Sequence, residues 1–482
     1  MSKEKYETVI GLEVHVQLST ESKAFCADST TFGGLPNTHV GIVSLAMPGA
    51  LPRANRQQIE FAARLGLALG CRINPKNHFD RKNYFYADLP KGYQITQDRQ
   101  PICIGGGLEI ETSLGKRFIE IHHIHMEEDA GKSIHDQDPH ATLIDLNRAG
   151  VPLLEIVTQP DLRSGEEVDA FMTAMRHLVR WLGVSDGNMD EGSMRCDVNV
   201  SIREKGDTKF GTRCEVKNVN SMRFARRAIE FEFARQVDLV ENGGVVEQQT
   251  LNFNPETGVT TPIRDKENAN DYRYFPDPDL PPVVLSEAWI GRVAAELPML
   301  PQAARLVLEQ KFGVTAADAK ILTSEKAIFD YTNELLTQLS PNLQRLASNF
   351  LVQKILPFVV EKNISIEKYP LSTKQIEELL NLINENKISA SAAYQNLLPA
   401  LLDAPPPVSA LDFAQKMNLL QSDDTDFLEK IVLEVLENNP EKVKEYQKGK
   451  KGLIGFFMGE IMKMSKGKAE PKATQALLTK HL

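Results

Sequence analysis

The chain has 482 residues, of which 42% are hydrophobic and 25% charged, with a formal net charge of −10 and a mean hydropathy of −0.28. No run approaches the ~20 consecutive apolar residues that a bilayer span requires. The acidic balance excludes broad electrostatic capture of nucleic acid, so any polyanionic partner must meet a local basic surface.

The opening MSKEKYETVIGLEV turns quickly into a strand pattern instead of the longer apolar core of a signal peptide, which predicts a cytoplasmic protein. Strand alternation in GLEVHVQL sends Glu13, His15 and Gln17 one way and Leu12, Val14, Val16 and Leu18 the other. Cys26, Cys71, Cys103, Cys196 and Cys214 are scattered and odd in number, which predicts reduced thiols, not a disulfide framework.

KNYFYADLPKGYQ (82–94) interleaves Lys82, Tyr84, Tyr86, Lys91 and Tyr93. Such a pattern suits a nucleotide clamp or a half-buried aromatic strand. In IHHIHMEEDAGKS (121–133), alternation separates His123, His125 and Glu127 from His122, Met126 and Glu128, so at most one set faces a common ion. No HExxH is present and no cysteine accompanies the histidines at zinc spacing, and three carboxylates stand beside the three imidazoles, which favours magnesium over zinc. The ending AGKS imitates a phosphate loop, but Met126 stands where the leading glycine would be. Alone, this segment is better explained as a hydrated strand end than as a site.

An amphipathic helix is predicted over 166–182 and another over 221–242. The second has Asn220-Ser221 as N-cap, Phe224, Ala228, Phe231 and Arg235 along one side, and Gly243-Gly244 as its stop. Between them DVNVSIR sets Asp197, Asn199, Ser201 and Arg203 opposite Val198, Val200 and Ile202, and RCEVKN groups Arg213, Glu215 and Lys217. NANDYRYFPDPDLPP (268–282) places Arg273 beside Asp271 and two tyrosines, in a stretch too proline-rich for regular structure. Strands bearing acids, bases and amides on one side suit a cradle that holds a cation and an anionic substrate together.

Prolines at 275–282 and 296–301 place a boundary near 295, after which helical periodicity dominates. DAPPPVS (403–409) precedes a helical tail in which Asn439-Pro440 opens one helix and Gly449 closes it. The expected fold is α+β: a sheet domain over 1–295, a helical linker domain over 296–407 and a helical tail domain over 408–482. From 441 onward ten lysines face four glutamates, making the tail the best polyanion-facing surface.

GLEVHVQL, KNYFYADLPKGYQI, HMEEDAGKS, DLNRAGVPLLEIV, GSMRCDVNVSIR, EVKNVNS, DYRYFPDPDLPP and GFFMGEIMKMSKGKAEP, in that order, resemble the GatB family, one of the subunit families of the bacterial aspartyl/glutamyl-tRNA(Asn/Gln) amidotransferase. The resemblance covers nearly the whole chain. It implies an antiparallel-sheet cradle related to glutamine synthetase and guanidino kinases, a helical domain and a small tail that contacts tRNA. It also implies a ligase that forms carbon–nitrogen bonds with glutamine as amido donor. ATP phosphorylates the side-chain carboxylate of Glu-tRNA(Gln) or Asp-tRNA(Asn), and ammonia then displaces phosphate.

By the same resemblance Glu13, His15, Glu128 and Glu155 hold Mg2+, with Glu127 adjacent. Lys82, Arg195, Lys217 and Arg273 contact phosphate or the aminoacyl end, Tyr84 lies beside ATP, and Asp197 and Asn199 line the pocket. The chain has no Gly/Ser-rich amidase signature, so the implied ammonia source is a separate amidase-type glutaminase subunit, with a small third subunit completing a heterotrimer on misacylated tRNA. Many relatives carry a zinc knot where this chain keeps only Cys26, with Asp28, Gly41 and Ser44 in the other places, so no structural zinc is expected. Two rival readings are a catalytically silent tRNA-binding scaffold and a stand-alone metal-dependent hydrolase.

Overall fold

The structure, a computed structural model, describes every residue except Met1, Asn220, 264–271, 405–408, 422–424, 466–468 and Glu470. Asp271, Glu470 and the predicted boundary at 407/408 lie outside the described residues. The chain forms two compact units, Met1–Leu300 and Pro301–Leu482.

The first unit is built on a ten-stranded sheet whose centre is the strand Tyr6–Gln17. On one side of it lie, in order, Met194–Glu204, Cys214–Val219, Thr250–Asn254 and Val259–Pro262; on the other lie Pro152–Thr158, Gly115–Glu128, Cys103–Ile104 and Arg72–Ile73. Gly107–Thr112 folds back on Gly115–Glu128 as a hairpin. Every pairing is antiparallel except Cys214–Val219 with Thr250–Asn254, which the helix Met222–Glu241 connects, as a parallel pair requires. The fold class is α+β, as the residue pattern predicts.

Alternation gives this sheet two chemically different faces. Ile10, Leu12, Val14 and Val16 are buried in one hydrophobic core with Val168, Phe171, Met172 and Met175 of the helix Gly165–Trp181. Each such side chain contributes about 1.5–3 kcal/mol on burial. That helix begins where Ser164 Oγ accepts the backbone N–H of Glu167 at 3.2 Å.

Met222–Glu241 starts after its Ser221 cap, and the chain leaves it through Gly243 at φ 78°. Both helices match the expected spans to one residue, but the buried stripe of the second is Ala225, Ala228, Ile229, Glu232, Gln236 and Val237, so that of the expected Phe224, Ala228, Phe231 and Arg235 only Ala228 belongs to it. The stripe is rotated because two of its members are polar and satisfied inside: Glu232 accepts from Arg235 and Thr260, and Gln236 donates to the Val200 carbonyl at 3.2 Å. Hydrophobic periodicity cannot register buried polar residues.

A three-stranded sheet of Asp80–Asn83, Tyr93–Thr96 and Phe275–Pro276 accompanies the large one. The proline-rich stretch is fixed to it: Arg81 Nε donates to Asp277 at 2.8 Å, and Arg81 Nη2 donates to Asp279 at 2.8 Å. All five cysteines are free, and four are buried.

Among the described residues of the second unit, every secondary-structure element is a helix. Its last part packs Leu428, Val432, Val435, Phe457, Ile461 and Leu478 into one core. The helix Pro440–Gln447 follows Asn439, and Gly449 at φ 105° lies just beyond its end. Among the described residues no helix is long and apolar enough to cross a membrane.

Candidate active site

The polar face of the large sheet collects acids from five adjacent strands. Pairing sets His15 opposite both Glu155 and Arg195, Glu13 opposite Asp197, and Glu155 opposite His125. Two carboxylate groups result. In one, ligand atoms of His15, Glu127 and Glu155 lie within 4.8 Å of one another; in the other the same holds for Glu13, Asp197 and Glu215.

In the first group, His125 Nε2 bridges Glu127 at 3.1 Å and Glu155 at 3.3 Å, and His15 Nε2 meets Glu155 at 3.2 Å. Burial opposes the charge on His125, but Glu155 and Glu127 outweigh it and lift its pKa to about 10. His123, stacked on His125 with ring centroids 5.1 Å apart, is pushed down to about 4 by burial and by that neighbouring charge. Thr96 Oγ1 donates to Glu127 at 2.7 Å and Gln94 Nε2 at 3.2 Å. Burial and the charge of Glu155 push the Glu127 pKa up, but the hydrogen bond and charge of His125, with the charge of Lys82, outweigh them and hold it below the ordinary carboxylate value.

In the second group the balance tips the other way. Burial, then the charge of Glu155, raises the pKa of Glu13, although Asn199 Nδ2 donates to it at 2.9 Å. Burial raises Asp197 too, despite Lys217 Nζ at 3.6 Å. Lys217 also pairs with Glu215 at 3.0 Å. Acids held above their ordinary pKa by burial and by one another favour a cation among them.

A hard divalent ion fits these residues. Oxygen donors predominate, and His15 Nδ1 is buried with no hydrogen-bond partner among the described residues. Lys82 is the cation on the far wall. Burial works against its charge, yet Glu127, Tyr274 and Glu155 more than compensate and raise its pKa. Its Nζ lies 5.0 Å from the Tyr272 ring and 5.9 Å from the Tyr84 ring, within cation–π range. Tyr84 Oη donates to Gln94 at 3.4 Å.

The expected site residues are thus only partly assembled together. Glu13, His15, Glu155, Asp197, Asn199 and Lys217 share the sheet face, and Lys82 and Tyr84 stand beside Glu127. Glu128 belongs to the other alternation set: it pairs with Lys91 and accepts the Ile95 backbone N–H at 3.0 Å, so Glu127 takes the place beside Glu155. Arg195 spends its fork on buried Asp129, at 3.0 and 2.8 Å, while Gln17 Nε2 donates to the same carboxylate at 2.7 Å. Arg273 is exposed on the segment next to Tyr272.

Asp129, Gln94, Thr96 and the bridging role of His125 escape a reading by residue pattern. Gln94 and Thr96 sit on a strand with no charge of its own, so only its pairing with Asp80–Asn83 brings them to Glu127. Glu215 is visible on its strand face, but nothing local ties it to Glu13.

Comparison with known proteins bears on this geometry. Residues 8–291 match the family model described as the GatB/GatE catalytic domain, and residues 330–482 match the one described as the GatB domain. The chain is 46% identical over 477 residues to the B subunit of the aspartyl/glutamyl-tRNA(Asn/Gln) amidotransferase of Myxococcus xanthus, covering 99% of this chain and 98% of the relative. The proteins of that name from Geotalea daltonii and Moorella thermoacetica are each 46% identical, covering 99% of this chain and 99% and 100% of the relatives.

Proposed function

Since this chain belongs to the GatB family of aspartyl/glutamyl-tRNA amidotransferase subunits, a family of glutamine-dependent carbon–nitrogen ligases, we propose that it carries the site where a misacylated tRNA is activated and amidated. In this reading an oxygen of the side-chain carboxylate of Glu-tRNA(Gln) or Asp-tRNA(Asn) attacks the γ-phosphorus of ATP and ADP leaves. Ammonia then attacks the activated carbonyl carbon, phosphate leaves, and a proton is lost from nitrogen.

The observation that supports it is that two acid groups share one face of the large sheet while Lys82 of the small sheet stands near Glu127 and Glu155. A carboxylate and a triphosphate repel each other; Glu13, His15, Glu127, Glu155, Asp197 and Glu215 would hold Mg2+, which would supply the charge neutralisation their reaction needs. Lys82 and Lys217 offer ammonium groups to anionic oxygens, and Asn199 keeps the Glu13 carboxylate in register. Arg195, braced by Asp129, and Arg273 are the remaining candidates for the phosphate and aminoacyl ends, with Tyr84 and Tyr272 as faces for a base. The charge and pairing of these residues distinguish this reading from a silent scaffold, which needs none of them.

Ammonia comes from an amidase-type glutaminase subunit, a small third subunit completes a cytoplasmic heterotrimer, and the lysine-rich tail takes tRNA. The stretch 29–52 carries no Asp, Glu, Lys or Arg and exposes Phe32, Leu35, Ile42, Leu45, Met47 and Leu51, from 45% at Leu45 to 76% at Leu35. It is nevertheless pinned: Asn37 Nδ2 donates to the Ile144 carbonyl at 2.9 Å, and Asn147 Nδ2 to the Leu35 carbonyl at 2.7 Å. Charge depletion with exposed apolar groups marks the core of a subunit interface. Leu35→Asp with Ile42→Asp is expected to lower recovery of the glutaminase subunit with this chain at least tenfold in tandem purification, with the circular dichroism spectrum unchanged. Undiminished recovery rejects that surface.

At the positions of the relatives' zinc knot, Asp28 accepts from Ser44 Oγ and from the Gly41 N–H, both at 2.7 Å, and meets Cys26 Sγ at 3.2 Å. These hydrogen bonds tie the positions of the loop to one another. The decisive experiment supplies the assembled complex with glutamine, ATP and each misacylated tRNA. Amidated tRNA forming only with ATP and Mg2+, in a preparation without stoichiometric zinc, is expected. Hydrolysis of the ester without ATP would favour the hydrolase reading.

A further inference from the structure

Phe275 pairs opposite Arg81, and Pro276 opposite Asp80. Continued two residues outward, that register would set Arg273 opposite Asn83. Instead the Asn83 backbone N–H donates to the Tyr272 carbonyl at 3.0 Å, so Tyr272 and Arg273 together face one residue, the arrangement of a β-bulge. Arg273 sits at φ 45°, in the left-handed region that a residue with a Cβ keeps only when its surroundings hold it there.

The holder is the Asn83 side chain. Its Nδ2 donates to the Tyr272 carbonyl at 3.0 Å and to the Arg273 carbonyl at 2.9 Å. Both neighbours are acceptors, so only the amide nitrogen can face them. The same bulge sets the Tyr272 ring 5.0 Å from Lys82 Nζ, 6.0 Å from the Tyr84 ring and 5.9 Å from the Tyr274 ring. Clamp and cation are consecutive residues on one strand, so a shift of the clamped backbone is passed to the aromatic wall around Lys82.

We infer that Asn83 is a positioning residue: its amide holds the Tyr272–Arg273 bulge so that a tyrosine wall stands beside Lys82 in the reactant pocket. The role in catalysis rests on the function proposed above; the clamp itself does not. Bulges beside active sites commonly re-aim side chains in this way.

The test compares Asn83→Ala and Asn83→Asp with the unaltered chain in the assembled complex. Amide hydrogen exchange in 272–276 is expected to quicken at least tenfold in both variants. The KM for ATP is expected to rise about tenfold, as misplacement of a binding wall does, with kcat within about threefold. Asn83→Asp should be the worse of the two, because a carboxylate would face two carbonyl oxygens. A merely space-filling role predicts the opposite order, Ala below the isosteric Asp, with an unchanged KM and losses that follow the melting temperature. That pattern, or unchanged exchange, overturns the inference. If the unaltered complex makes no amidated tRNA with ATP, the functional reading fails, and the exchange measurement still decides the clamp.

Discussion

Glu155→Gln is expected to lower ATP-dependent amidation roughly a hundred- to a thousandfold in kcat, the scale for removing one preorganised electrostatic group from a site, while tRNA binding stays within about twofold. Glu155 meets both His15 and His125 and lies opposite both of them in register. Its loss has a second signature. Glu155 heads the interactions that lift His125 to about 10, so in the variant the ring should titrate clearly lower, which imidazole NMR resonances would record.

Glu128→Gln provides the contrast. Glu128 pairs with Lys91 on the other side of the strand, so its replacement should leave the His125 titration in place. Wild-type amidation by Glu155→Gln would remove this carboxylate from the machinery.

Asp129→Ala is the second large effect. The carboxylate is 3% exposed and receives the Arg195 fork and Gln17, with Arg148 Nε at 3.8 Å. Removing it leaves a cation unpaired inside the cradle, which costs about 3–5 kcal/mol for a buried pair. Because Arg195 keeps some contact with solvent, we expect the lower end, about 3 kcal/mol, in urea unfolding of the sheet unit's transition.

The pH dependence follows from the same pair. Burial alone would raise the Asp129 pKa, but Arg195 and Arg148 hold it well below the carboxylate range. A group with a depressed folded pKa contributes fully above its unfolded pKa, about 3.9, and the contribution is lost as pH falls through the folded value. The wild-type advantage over Asp129→Ala should therefore be constant from neutrality to about pH 5 and shrink below about pH 4. An advantage that grew on acidification would contradict the pairing.

The alternation of Glu13, His15 and Gln17 against Leu12, Val14 and Val16 discloses one polar and one apolar sheet face, because period two leaves a strand no other arrangement. It also splits His123, His125 and Glu127 from Glu128 correctly. What alternation lacks is a sign: whether the odd or even set of 121–128 turns toward the acids depends on the partner strand Pro152–Thr158 and on Thr96 and Gln94 across the small sheet. Glu232 and Gln236 are illegible because their burial is satisfied by Thr260 and Val200, each over twenty residues away. The clamp on Arg273 joins positions 190 residues apart, and a strained backbone has no signature in composition.

The central strand has a consequence for biosynthesis. Tyr6–Gln17 leaves the ribosome well before its neighbours in the sheet, Pro152–Thr158 and Met194–Glu204. At about 5–20 residues per second, the interval before both are available is roughly ten to forty seconds. For that time a segment rich in Val and Ile has both edges open, which makes nascent chains of this length candidates for chaperone protection and for misassociation if translation stalls before Met194–Glu204 emerges.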